Sequence, residues 1–164
     1  MSGVVDVTVV IPTRSRPASV TNAVRSALDQ TRPPREVIVL VDGPDPETVS
    51  SLEGLADDRL RIICHEASRG AGAARNTGIN AAHGHFLAFL DDDDEWLPGK
   101  LAHQMDILER ANDPDHVVVS CQGRWEDGRD SVIWPTRAPR PDEQIAEYLF
   151  VRRSAGEGVL ATPT

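Results

Sequence analysis

The chain has 164 residues, of which 40% are apolar, so it is long enough for one domain with a hydrophobic core and too apolar to be disordered. Its net charge of −9, from 17 basic and 26 acidic residues, argues against nucleic-acid binding, which requires a basic surface. An acidic protein can still bind an anionic nucleotide when a divalent cation bridges the two.

Strands and helices are predicted to alternate along the chain. The strands cover 4–11, 36–41, 60–64, 86–90 and 116–120, and the helices cover about 17–30, 47–56, 70–82 and 97–111. This alternation predicts an α/β fold, with a mainly parallel, Rossmann-like sheet flanked by helices. Residues 1–120 then form the α/β part, and residues 121–164 form a smaller second part.

The second part begins with a different pattern. Residues 122–126 and 131–134 flank an Asp-Gly turn and predict a β-hairpin. A helix over 144–151 and a short strand over 159–162 are predicted to follow. Trp125 and Trp134 lie on the hairpin, where they would either stack on a sugar ring or pack against the protein.

The cysteines and the apolar runs bear on location. Cys64 and Cys121 adjoin β-branched runs and are predicted to be buried thiols that form no disulfide, as in a reducing compartment. The longest apolar run is far shorter than the ~18 residues of a membrane span, and no signal peptide precedes the first strand. We therefore expect a cytoplasmic protein without a membrane span in this chain.

Polar groups follow four of the predicted strands. They are Pro12-Thr13-Arg14 after the first strand, Asp42 after the second, Ser68-Arg69-Gly70 after the third and Asp91 to Asp94 after the fourth. In a parallel sheet these positions share one edge, and ligands bind in the crevice beyond it. The sequence therefore predicts a ligand site there.

The first two groups each have two interpretations. Pro12 and Thr13 offer backbone groups and a hydroxyl to a base or ribose, or they simply end a strand. Asp42 accepts hydrogen bonds from a base or ribose, or it is a turn aspartate beside Gly43. The residues alone leave both questions open.

The segment 69–76 is rich in glycine at the start of a predicted helix. Gly70 and Gly72 would leave backbone N–H groups exposed to an anion, with Arg75 one turn further in, or they would only permit close packing. The segment resembles a dinucleotide-binding fingerprint, but Arg75 replaces its third glycine and the segment follows the third strand. A nicotinamide cofactor is therefore disfavoured.

The run from Asp91 to Asp94 concentrates negative charge at the end of a buried strand. Two carboxylates ~5 Å apart repel by roughly 3 kcal/mol at an effective dielectric constant of about 20. An extended backbone would place Asp91 and Asp93 on the same side, where a divalent cation with phosphate oxygens in its shell would offset the repulsion. Asp94 is predicted to cap the next helix.

Four segments, considered together, resemble a known family. Residues 9–14, 39–43, 69–78 and 89–98 resemble the successive motifs of family 2 glycosyltransferases, and the resemblance covers about 4–108 closely. It implies a GT-A fold, in which a nucleotide-binding half precedes an acceptor-binding half that would begin at about residue 121. It also implies transfer of a sugar, with inversion, from a UDP-, dTDP- or GDP-linked donor to an acceptor.

The resemblance also implies roles for individual residues. Thr13, Asp42 and Arg75 would contact the base or nucleoside, Asp91 and Asp92 would lie at the ribose and diphosphate, and Asp93 would bind Mn²⁺ or Mg²⁺. The cation would neutralise the departing diphosphate.

Two departures from the family pattern shape the remaining expectations. Asp42 is followed at once by Gly43, where the family usually carries paired acidic residues, so base recognition is expected to differ. The family's general base is expected beyond Thr164, so no catalytic base is assigned in this chain. The alternatives are a non-catalytic module that binds a nucleotide sugar and a nucleotidyltransferase.

Overall fold

The computed structural model describes residues 3–113 and 116–140. The chain divides into two compact units after Val117. In the first unit the strands are β1 (Val5–Thr13), β2 (Pro34–Val41), β3 (Leu60–Cys64) and β4 (Phe86–Phe89), and the helices are α1 (Pro17–Leu28), α2 (Pro46–Glu53), α3 (Ala71–Ala81) and α4 (Lys100–Glu109). The second unit contains β5 (Gly123–Glu126) and β6 (Ser131–Trp134).

The four strands of the first unit form a parallel sheet in the order β3-β2-β1-β4. Thr13 lies beside Val41, and Val41 lies beside Cys64, so three strands end at the same level. β1 and β2 are buried along almost their whole length, as expected for strands covered on both faces. The predicted α/β architecture is confirmed, and the loops that follow the strands meet at one edge.

Strand β1 continues through Pro12, where the sequence predicts its end. The pairing of β1 with β4 stops at Val10, so the missing N–H group of Pro12 removes no ladder bond on that side. Pro12 and Thr13 remain beside β2, and the Thr13 carbonyl accepts the Asp42 N–H at 2.9 Å. The strand therefore delivers Thr13 to the edge of the sheet.

Helix α3 lies close to the sheet through a glycine. A Cβ atom on Gly78 would lie 2.4 Å from Cγ1 of Val10 and 2.9 Å from Cδ2 of Leu40. Gly70 and Gly72 do not pack against the sheet in this way. Gly70 has a φ of +87°, and a Cβ on Gly72 would meet nothing within 4 Å. Close packing of α3 on the sheet therefore depends on Gly78, and neither Gly70 nor Gly72 is required for it.

Two predictions of secondary structure are wrong. Residues 116–120 form no strand, and Val118 is 88% exposed, because β-branched residues need a neighbouring strand to complete a ladder. The last helix of the first unit begins at Lys100 with Gly99 as its N-cap, so Asp94 caps nothing. Pro98 biases the residue before it away from helical backbone, which explains the late start.

The second unit is described over residues 118–140, and the predicted hairpin is confirmed there. Trp125 lies opposite Val132 and Trp134 lies opposite Gly123, so both tryptophans share one face of the hairpin. The predicted helix over 144–151 and strand over 159–162 lie outside the described residues. Within the described ranges, no helix is long and apolar enough to cross a membrane.

The cysteines differ in part from expectation. Cys64 is exposed and Cys121 is half-buried, and no disulfide joins them. The prediction of thiols is confirmed and the prediction of burial is wrong, since Cys64 is the last residue of β3 at the open edge of the sheet.

Candidate functional site

A cavity of about 380 Å³ opens at the carboxyl edge of the sheet. It is lined by residues from the loops after all four strands: Pro12, Thr13, Arg14, Arg16, Asp42, Ser68, Gly70, Ala71 and Asp92. The structure thus brings Pro12, Thr13, Asp42 and Asp92 together. The other predicted site residues, Arg75, Asp91 and Asp93, do not line this cavity and have partners of their own.

Asp42 organises the loop that follows β3. Its Oδ1 accepts the Arg69 N–H at 2.8 Å and lies 2.8 Å from Nδ1 of His65, and its Oδ2 accepts the Ser68 hydroxyl at 2.7 Å and the Gly70 N–H at 2.9 Å. The Arg69 N–H and the Ser68 hydroxyl contribute most to holding the pKa of Asp42 well below its usual value. All four acceptor positions of the carboxylate are used, so a ligand would have to displace a protein donor to bind it directly.

His65 supports Asp42 from the end of β3. The ionised carboxylate can only accept, so the hydrogen between the two lies on Nδ1 of His65. On the other side of the ring, Nε2 lies 2.9 Å from the hydroxyl of Thr77 on α3. Sequence reasoning missed His65, although its place directly after Cys64, at the carboxyl end of a strand, was a signal.

Thr13 and Arg16 fix the position of Asp92. The Thr13 hydroxyl donates to Oδ2 of Asp92 at 2.7 Å, and Nη1 of Arg16 donates to Oδ1 of Asp92 at 3.0 Å. The same Nη1 donates to Oδ2 of Asp93 at 2.8 Å. The charges of Asp92 and then Asp93 raise the pKa of Arg16. Sequence reasoning missed Arg16, whose signal was a cation at a helix N-terminus, where the helix dipole disfavours it.

Arg75 pairs with Asp91 rather than reaching into the cavity. Nη2 of Arg75 donates to Oδ1 of Asp91, and both side chains are about 30% exposed. This ion pair joins the first turns of α3 to the loop after β4. Nε of Arg75 is buried and makes no hydrogen bond with any described residue.

The aspartate run turns instead of continuing in extended form. The Asp94 N–H donates to the Asp91 carbonyl at 3.2 Å, which closes a turn. The prediction that Asp91 and Asp93 face the same side is therefore wrong. Asp91 is directed to Arg75, while Asp92 and Asp93 share Arg16.

Asp94 reports the electrostatic potential of this loop. Burial, followed by the charges of Asp93, Asp91 and Asp92, raises the pKa of Asp94 to about 6. Arg16 and Arg75 therefore leave part of the negative charge of this loop uncompensated, and this charge favours binding of a further cation.

The donor groups fit a cation that arrives with phosphate. No three His, Cys, Asp or Glu side chains are arranged as metal ligands in the part of the chain that the structure describes. However, Mg²⁺ and similar cations are commonly held by one or two carboxylates together with substrate phosphates. The Asp93 side chain, 59% exposed, offers such a carboxylate.

The sheet order and the flanking helices define an α/β domain of the GT-A type. A family model described as Glycosyl transferase family 2 matches residues 8–158. The match covers most of the chain, which belongs to this family.

Curated relatives agree with the family assignment. An Escherichia coli protein, UDP-Glc:alpha-D-GlcNAc-diphosphoundecaprenol beta-1,3-glucosyltransferase WfgD, is 31% identical over 65% of this chain and 42% of its own length. A Campylobacter jejuni protein, GalNAc(5)-diNAcBac-PP-undecaprenol beta-1,3-glucosyltransferase, is 32% identical over 87% of this chain and 46% of its own length. The chain spans less than half the length of these relatives.

Solved structures show the same fold. S. aureus TarS 1–349 in complex with UDP-GlcNAc superposes with a TM-score of 0.58 at 25% identity, over 63% of this chain and 31% of TarS 1–349. The mannosyltransferase PcManGT from Pyrobaculum calidifontis, in complex with GDP-Man and Mn²⁺, gives a TM-score of 0.51 at 26% identity, over 56% of this chain and 28% of that one.

Proposed function

We propose that this chain binds a nucleotide-sugar donor in the cavity at the carboxyl edge of the sheet, as part of an inverting glycosyltransferase. One observation carries the proposal: the carboxyl ends of four parallel strands converge on one cavity, with the polar side chains of Thr13, Asp42 and Asp92 in its wall. Such crevices are where α/β sheets bind nucleotides. The donor is linked to UDP, dTDP or GDP, in keeping with the UDP- and GDP-sugars of the similar proteins.

The protein holds its loops in place before the donor arrives. Asp42 fixes residues 68–70 through three hydrogen bonds and makes a fourth with His65, and Thr13 fixes Asp92 through one. Ordered loops lower the entropy cost of binding. In this arrangement Pro12 and Thr13 contact the nucleoside, and the loop after β3 surrounds it.

Asp93 is proposed to hold Mn²⁺ or Mg²⁺ together with the donor diphosphate, while Asp91 and Asp92 lie beside the ribose and phosphates. The cation would supply Lewis-acid neutralisation of the departing diphosphate. Arg75 keeps Asp91 in place through their ion pair and so acts on the donor indirectly. We further propose a cytoplasmic location, consistent with two cysteines that form no disulfide.

Calorimetric titration with UDP, GDP and dTDP, each with and without Mn²⁺, tests this proposal. At least one nucleotide is expected to bind, and to bind more tightly with Mn²⁺. Asp93→Asn should remove most of the Mn²⁺ dependence, because it removes a charged ligand with little change of shape.

Asp106→Asn is the matched control, since Asp106 is an exposed, arginine-paired carboxylate on α4. It should bind nucleotide and Mn²⁺ as the unmodified chain does. The proposal fails if no nucleotide binds. The assignment of Asp93 fails if Asp93→Asn keeps the full Mn²⁺ dependence.

A further inference from the structure

We propose that Arg16 serves as the counter-cation of Asp92 and Asp93 before the donor binds. Arg16 then releases Asp93 to the divalent cation and binds the donor diphosphate. This inference rests on the proposed function. It assigns to Arg16 a role in exchanging one cation for another that neither the sequence pattern nor the comparisons supply.

The first support is the position of the guanidinium. A single nitrogen, Nη1, donates to Oδ1 of Asp92 at 3.0 Å and to Oδ2 of Asp93 at 2.8 Å. One cation therefore bridges two successive carboxylates, as a divalent ion would. Among the described residues, the hydrogen bonds of the Arg16 side chain all come from Nη1, so the other N–H groups of the guanidinium are available for a ligand.

The second support is the unequal hold on the two carboxylates. The Asp92 side chain is 11% exposed and also accepts the Thr13 hydroxyl, whereas the Asp93 side chain is 59% exposed and the Arg16 side chain 52%. Exposed ion pairs are weak because water competes for both partners. The bond from Arg16 to Asp93 is therefore the one that opens readily, while Asp92 stays in place.

The third support is that α1 gives no reason for an arginine at this position. Arg16 is the N-cap residue of α1, and its side chain makes no capping hydrogen bond. The helix dipole disfavours a cation there. The carboxylates after β4 explain the placement, and the planar guanidinium fork suits a diphosphate arriving in the cavity that Arg16 lines.

This exchange predicts two opposite effects of one substitution. In Arg16→Gln, Asp93 has no guanidinium partner and no positive charge at residue 16 repels the metal. The variant should therefore bind Mn²⁺ alone more tightly, by about threefold on the scale of exposed ion pairs. Without the fork to bind phosphate, the same variant should bind UDP in saturating Mn²⁺ more weakly, by about tenfold on the scale of a charge-assisted hydrogen bond. GDP or dTDP replaces UDP if the unmodified chain prefers it.

The experiment measures both affinities: Mn²⁺ alone by electron paramagnetic resonance of the free ion, and the nucleotide by calorimetry. Arg32→Gln is the matched control, because Arg32 also bridges two exposed carboxylates, Asp106 and Glu109, and lies outside the cavity lining. It should leave both affinities unchanged. Arg16→Lys keeps the charge, so it should bind Mn²⁺ as the unmodified chain does, yet bind the nucleotide more weakly.

The outcomes separate this inference from the proposed function. If the unmodified chain binds none of the three nucleotides, the proposed function fails, and the Mn²⁺ titrations still decide whether Arg16 opposes the metal. If the unmodified chain binds nucleotide and Arg16→Gln changes neither affinity, or shifts both in the same direction, the inference is wrong. An equal change in Arg32→Gln would also overturn it, since a general charge effect would then explain the result.

Discussion

Asp42 shows how a residue at the proposed ligand site can act through other residues of the protein. Asp42 is 5% exposed, and its carboxylate accepts four hydrogen bonds, three of them from the loop 68–70. The fourth partner, His65, connects it to α3 through Thr77. Asp42 therefore shapes the cavity wall, and its effect on ligand binding is exerted through the loop it holds.

We expect Asp42→Asn to destabilise the protein and weaken nucleotide binding together. The amide presents an NH₂ group to donors that need an acceptor, which costs about 3 kcal/mol for a buried, charge-assisted site. Chemical unfolding measures this loss. Asp45→Asn is the control: asparagine still caps α2 by accepting the Thr48 N–H at 3.1 Å, and the bond that it loses, from the Ser15 N–H at 2.9 Å, is exposed to solvent. An Asp42→Asn variant as stable as the Asp45→Asn control would contradict this interpretation.

Replacing Asp94 with asparagine should stabilise the protein, which is the opposite of the effect expected for Asp42→Asn. Its folded-state pKa of about 6 lies above its ordinary value of 3.8, so ionisation of Asp94 costs stability as the pH rises through this range. Asp94→Asn should therefore raise the melting temperature at pH 7 but leave it unchanged at pH 3, where both forms are neutral. Thermal unfolding at the two pH values checks this. Equal melting temperatures of the two proteins at pH 7 would show that the ionised carboxylate is not strained.

Sequence reasoning found the site residues that lie at strand ends and missed those that support them. Thr13 ends β1, Asp42 follows β2 directly and Asp92 lies three residues after β4, so the topology of a parallel sheet places them together. Arg16 and His65 act through side-chain contacts over 76 and 23 residues of sequence separation. Strand and helix periodicity carries no information about such contacts.

At the scale of elements, α3 joins the sheet to the site. Its buried residues, Ala74 and Gly78, face the sheet, and its Arg75 holds Asp91. The core cluster of Val10, Ile38, Leu40 and Ala74 sets the height of the helix above the strands. A shift of α3 would therefore move the loop 68–70 and the aspartate loop as well.

Gly78→Ala should destabilise the protein by about 2 kcal/mol through overpacking, because the new methyl group would lie 2.4 Å from Cγ1 of Val10. Gly72→Ala on the same helix is the control: it meets nothing within 4 Å, and alanine favours helix by up to about 1 kcal/mol. Urea unfolding of both variants compares them. A Gly78→Ala variant at least as stable as Gly72→Ala would show that the helix can move away from the sheet at no cost.

The elements that sequence reasoning misplaced share a cause. The strand predicted at 116–120 has suitable residues but no neighbour to pair with among the described strands. The helix predicted from residue 97 has the right apolar spacing, but α4 starts only after Pro98. The residue before the predicted start, Trp96, donates its backbone N–H to the Ser26 hydroxyl at 3.0 Å. Both depend on tertiary partners that local patterns do not contain.

Across the whole first unit, the two edges of the sheet are built differently. At the amino edge, Glu36 accepts hydrogen bonds from Thr8 at 2.8 Å, from Arg61 at 2.7 Å and from the backbone of His83 at 2.6 Å. One buried carboxylate thus joins three strands and the loop before β4. Glu36 is satisfied internally at the amino edge, whereas a cavity opens at the carboxyl edge.

Glu36 makes the stability of the protein sensitive to acid. Burial alone would raise its pKa, but the hydrogen bonds from Arg61, the His83 backbone and Thr8 outweigh burial and lower the pKa from 4.5 to about 2. The stabilisation is complete above pH 4.5 and is lost as the pH falls towards 2, with a total of about 3 kcal/mol. Denaturant unfolding between pH 2 and pH 6 measures it.

Glu36→Gln is the comparison for that series. The variant should be less stable than the unmodified chain at pH 6, and the difference should shrink as the pH approaches 2. A difference that stays constant over this range would mean that ionisation of Glu36 contributes nothing.

Hydrogen–deuterium exchange with UDP, GDP or dTDP and Mn²⁺ tests most directly whether the carboxyl edge of the sheet is the donor site. We predict slower exchange on ligand addition in four segments at the carboxyl ends of the strands: 13–16, 42–45, 68–75 and 91–95. The last of these is the aspartate turn. The amino-edge segment 82–85, held by Glu36 and Thr8, should exchange at the same rate with and without ligand. Protection confined to other parts of the chain, or none with any of the three nucleotides, would contradict the proposed site.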